Sequence, residues 1–108
     1  MSLDDANSID ALGTDTLDGQ IVLTIFDAWD WSDERAHLLA LQTKLNAYFA
    51  FVESDQIAEM EPGWRGKGAR VEVVFRHPPS DNAVALLKTA EFVARPLGLN
   101  VRHREHHG

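Results

Sequence analysis

The run QIVLTIF, residues 20–26, constrains this chain most, because it is apolar on both of its faces and has no side to give to water. A strand of that kind belongs in the interior of a sheet. The residues that follow supply its neighbours. Leu38, Leu41, Leu45, Tyr48 or Phe49, and Val52 recur at steps of three and four, which predicts a long helix from about Ser32 to Glu53. From Arg70 to His77 the chain alternates, with Val71, Val73 and Phe75 on one side and Arg70, Glu72, Val74 and Arg76 on the other. A second helix carries Ala83, Leu86, Leu87, Ala90, Val93 and Ala94. A last strand sets Leu99, Val101 and His103 against Asn100, Arg102 and Arg104. Strand–helix–strand crossovers are right-handed, and two that move the same way put both helices on one face of the sheet.

Local punctuation fits this plan. A first strand, Ile9 to Thr14, joins the interior one through DTLDGQ, where Asp18-Gly19 supplies the positive φ of a tight turn. Ser32 is placed to cap the first helix, with Asp33 and Glu34 in its first turn, where the helix dipole favours carboxylates. Pro78-Pro79 ends the third strand and Ser80 starts the second helix; Pro96 and Gly98 stop it. Between Ser54 and Ala69 the pattern breaks into a glycine-bearing loop. The expected fold is one α/β domain of the α+β-like kind, residues 1–108: a four-stranded mixed sheet, two helices on one face, order ββαβαβ. Residues 1–7 and 105–108 are expected to be flexible tails.

Composition removes several classes of function. Cysteine is absent, so disulfides, thiolate metal sites and cysteine nucleophiles are excluded. No apolar run reaches the ~18 residues of a membrane span. The start MSLDDANSID is acidic where a signal peptide is basic and then apolar. A soluble cytoplasmic protein is the expectation, with no membrane partner. The net charge of −7 speaks against a general nucleic-acid binder. That charge is uneven: residues 1–54 hold ten acidic and two basic side chains, residues 55–108 seven acidic and eight basic.

Four constellations invite a chemical reading. Asp27, Asp30, Asp33 and His37 have the residue types of a divalent-metal site, set against their plainer use as turn and helix-start residues. Gly63-Trp64-Arg65-Gly66-Lys67-Gly68 has the look of a phosphate loop, but the spacing is short, no Ser or Thr follows the lysine, and a strand follows where a helix is needed. Trp64 beside Arg65 still has the composition of a partner contact. His103, His106 and His107 form an H-x-x-H-H tail. Arg70, Arg76, Arg102 and Arg104 fall on one sheet face in the expected strand phases, where guanidinium forks suit phosphate, carboxylate or an acidic partner. The small side of the long helix, Ala40, Ala47 and Phe51, is a candidate for self-association. No nucleophile has a base at hand, so the sequence leans away from catalysis, and no cofactor motif is present.

The stretches IDALGTDTLDGQIVLTIFDAWDW and VEVVFRHPP, and above all the block HLxxLQxKLNxYxxFxES from His37 to Ser54, resemble a family of short bacterial proteins classed as a domain of unknown function. The resemblance spans nearly the whole chain and implies a compact bacterial cytoplasmic domain. It carries no catalytic or binding residues to transfer. The expectation is a small interaction or regulatory module that binds a protein partner or pairs as a homodimer. An acidic module that neutralises a basic partner, as immunity proteins and antitoxins do, fits the charge. The second expectation is a binder of a small anion, nucleotide or RNA segment through the sheet arginines; the third is a metal-dependent enzyme.

Overall fold

The computed structural model describes residues 3, 5, 8–64 and 68–106; Arg65, Gly66 and Lys67 of the glycine-rich loop and His107 of the histidine tail lie outside them. Strand β1, Ala11–Thr14, pairs antiparallel with β2, Ile21–Asp27. Helix α1, Glu34–Glu53, and a short α2, Ile57–Met60, lead to β3, Ala69–Phe75; α3, Asp81–Ala94, leads through a single turn at Arg95–Leu97 to β4, Leu99–Glu105. The strands lie in the order β1-β2-β3-β4, with β2, β3 and β4 parallel.

Register decides what faces what. Leu23 sits beside Val71 and Val71 beside Val101, so one face of the sheet is a layer of branched aliphatics. Ile21, Leu23, Ile25, Val71, Val73 and Phe75 are wholly shut off from water there. Leu41, Leu45 and Val52 of α1 and Leu87, Ala90 and Ala94 of α3 close over the same layer in one cluster. Both long helices therefore cover one face, as the crossovers require. Each buried leucine of this kind contributes on the order of 2–5 kcal/mol, judged by its replacement with alanine.

The turn and cap residues behave as local chemistry dictates, with one exception. Gly19 takes φ 74° in the β1–β2 turn and Gly98 takes φ 79° after the turn at Arg95–Leu97, both in the left-handed region that glycine enters freely. The Ser80 hydroxyl accepts the Ala83 amide at 3.2 Å. At α1, however, the cap is Asp33, whose carboxylate accepts the Ala36 amide at 3.1 Å. Ser32 turns back instead, its hydroxyl donating to Asp30 at 2.6 Å. The stronger acceptor, one residue later, takes the free amides of the first turn.

From Ser54 to Trp64 the chain carries structure that its composition did not signal. Asp55 reverses the chain with φ 64°, α2 follows, and Ile57 and Trp64 reach the core. Leu3 is 3% exposed and belongs to that core, and Glu105 ends β4, so neither position behaves as a tail. Among the described residues no helix is long and apolar enough to cross a membrane.

Candidate functional site

The acidic stretch at the end of β2 resolves into a buried pair. Asp27, the last residue of β2, and His37, in the first turn of α1, meet at 2.6 Å between Oδ2 and Nε2, with neither side chain open to water. Nδ1 of the same ring lies 2.9 Å from the Asp30 carbonyl oxygen. A carbonyl only accepts, so Nδ1 carries a hydrogen, and the 2.6 Å contact at Nε2 needs a second proton in the bridge. The Trp31 indole stacks on the imidazole with centroids 3.6 Å apart. Burial pushes the Asp27 carboxyl above its ordinary value, against the opposing pull of the His37 bond.

This geometry uses up the proposed metal ligands. Both His37 nitrogens are engaged, Asp33 caps a helix, and Asp30 accepts both the hydroxyl and the amide of Ser32, which hold its carboxyl below the usual range. The oxygens point to separate local donors because each belongs to a turn of its own. Among the described residues no group of three or more histidine, aspartate or glutamate side chains converges on a common point. His103 lies edge-on to Phe75 at 5.9 Å, and the His106 amide donates to the Phe75 carbonyl, continuing the β4 ladder.

On the sheet, the charges of Arg70 and Arg104 are answered by acidic neighbours. Arg70 meets Asp15 at 2.8 Å and Glu72 at 3.5 Å, and Arg104 meets Glu72 at 2.6 Å. Asp15 sits in the β1–β2 turn, far away in sequence, and its carboxyl is lowered by the Leu17 amide and then by Arg70. Arg102 stands beside Glu72 in the register and is exposed, as is Arg76. Trp64 is 2% exposed and packs inside the core, with Nε1 3.5 Å from Asp55 Oδ1. Its ring lies beside the turn at Arg95–Leu97, with which it lines a small cavity.

Ala40 and Phe51 are half-buried and pack on the core. Ala47 and Phe51 share a cavity of about 320 Å³ with Ser8 and Ile9, so this chain's own lead-in to β1 lies alongside that face. The larger opening is elsewhere. α1 and α3 run parallel, joined near their starts by a 3.1 Å hydrogen bond from Asn82 to Glu34. Between them lies an open, mainly apolar groove of about 570 Å³ lined by Leu38, Leu39, Ala85 and Leu86, with Glu34 and Asn82 also in its lining. Leu39 is 63% exposed, and farther along α3 Phe92 and Val93 are 69% and 55% exposed.

Helical spacing could have flagged this surface. Leu39 falls outside the series Leu38, Leu41, Leu45, and Phe92 outside the series Leu87, Ala90, Ala94, so each is a large apolar residue with no place in the core. The fold defines a small α+β domain with an open sheet face and an open helix groove. The chain belongs to DUF6572, a family of unknown function, whose model matches residues 1–107. No curated protein and no solved structure matches it.

Proposed function

We propose that this protein is an interaction module that binds a polypeptide through the groove between α1 and α3. The observation that carries the reading is the groove itself, apolar along Leu38, Leu39, Ala85 and Leu86 and open to solvent between the two long helices. A contiguous exposed apolar surface rimmed by polar groups is the usual mark of a contact site. The sheet arginines rank below it, because Glu72 and Asp15 already pair with two of the four. The buried pair Asp27–His37, and a second buried pair in which Lys44 of α1 meets Asp10 ahead of β1 at 2.9 Å, join elements of the fold.

A photo-reactive phenylalanine analogue at position 39 tests this. In cells it should cross-link to a polypeptide, and the same probe at position 102 on the sheet face should not. Equal labelling at both positions, or none at position 39, contradicts the reading.

A further inference from the structure

We infer that the occupant of this groove is a second copy of the same chain, related by a two-fold axis near Thr89. This rests on the groove reading above and names its partner. The exposed side of α3 is close to symmetric about Thr89: Leu86 and Phe92 lie three positions to either side, and Ala85 and Val93 four. The two halves differ in shape. Ala85 and Leu86 line the groove, whereas Phe92 and Val93 stand out from the helix beyond it. An axis perpendicular to α3 reverses its direction and lays the Phe92–Val93 ridge of one copy into the groove of the other, twice. That is the self-complementarity a two-fold interface demands.

Charge agrees with this arrangement. Glu34 and Asp81 mark the start of the helix pair, and Arg95 marks the end of α3. Arg95 is 62% exposed, its guanidinium lies over the Phe92 ring at 4.9 Å, and it reaches Glu91 only at 4.0 Å. Reversal about Thr89 carries the Arg95 of each copy to the Asp81 end of the other, on the same flank of the helix. A parallel arrangement would instead stack acid on acid and arginine on arginine.

Sedimentation equilibrium of the purified protein, from micromolar to about millimolar concentration, reads the pairing directly. The mass should rise from 12.1 kDa toward twice that value, and Phe92→Glu should hold it at the monomer throughout. Phe92 is too exposed for that change to threaten folding, which circular dichroism verifies. Asp81→Arg and Arg95→Asp should each weaken the dimer roughly threefold to fivefold, as exposed ion pairs do, and the double reversal should restore it. A chain that stays monomeric at millimolar concentration, or a dimer indifferent to Phe92→Glu, overturns the two-fold pairing. The groove reading is judged separately: cross-linking from position 39 to a different polypeptide would uphold it while this inference fails.

Discussion

Asp10 and Lys44 form an ion pair at 2.9 Å with neither side chain exposed. The same carboxylate accepts the Phe26 amide at 2.9 Å, and the Asp10 amide donates to the Tyr48 hydroxyl at 2.8 Å, which in turn donates to the Thr24 carbonyl at 2.6 Å. One acidic residue ahead of β1 thus ties that strand's entry to β2 and to α1. Burial pushes the Tyr48 hydroxyl far above the ordinary phenol range, so it stays a donor at any working pH. Removing one member of such a pair leaves the other charge buried. Lys44→Met should therefore destabilise the protein by about 3–5 kcal/mol. The double change Asp10→Leu with Lys44→Met should be less damaging than the sum of the two. Urea titration of the four proteins measures this coupling, and simple additivity would contradict it.

The Asp27–His37 bridge makes stability depend on pH in a defined direction. The Asp27 carboxyl is raised in the folded state, with burial as the main cause, so the folded site holds its proton at pH values where the unfolded carboxylate has lost it. This contribution is complete below the unfolded value of ~3.9 and is lost as pH rises through the folded one, with a slope of up to ~1.4 kcal/mol per pH unit. Asp15, Asp30 and Glu34 are lowered and act oppositely, losing their contributions as pH falls. The difference in unfolding free energy between the parent and Asp27→Asn isolates the bridge. It should shrink as pH rises; a difference that grows with pH would contradict the assignment.

Trp64 and Leu39 separate core from contact. Trp64→Ala should cost about 3–5 kcal/mol, because a large buried ring leaves a cavity. Leu39→Ala should change stability by no more than ~0.5 kcal/mol, since little of its side chain is covered. Thermal or urea unfolding of the two variants checks the contrast, and comparable losses would place Leu39 in the core instead.

Glu72 holds the sheet arginines in check. Phosphate should give the parent no saturable rise in Tm, because Arg70 and Arg104 are already paired. Glu72→Gln leaves Arg70 on Asp15 but frees Arg104 beside Arg102, and should produce such a rise. A saturable rise in the parent that is lost in Arg76→Ala with Arg102→Ala would move anion binding ahead of the groove.

What was legible in the sequence was local. Gly19, Ser80 and Gly98 act through their own φ or their own hydroxyl, and the phases of β3 and β4 follow from alternation, so the order of elements along the chain and the shared face of the two helices could be read directly, whereas the order of strands across the sheet could not. What escaped was long-range. Lys44 is buried because Asp10, distant in the chain, lies against it. Arg70 is answered by Asp15 across the sheet, and Trp64 is core because α2 turns it inward. Polar and aromatic residues carry no periodic signal that tells a satisfied interior position from an exposed one. The groove was half-visible: Leu39 stood out of phase, but only the packing of α1 against α3 shows that it shares a surface with Ala85 and Leu86.

The measurement that tests the central claim most directly is a native mass spectrum of the protein recovered gently from its own host, taken for the parent and for Leu39→Asp. The groove reading predicts a stoichiometric polypeptide mass above 12.1 kDa on the parent, from a second copy or another chain, that is absent from the variant. The same added mass on both, or an added mass of small-anion size in its place, would contradict it.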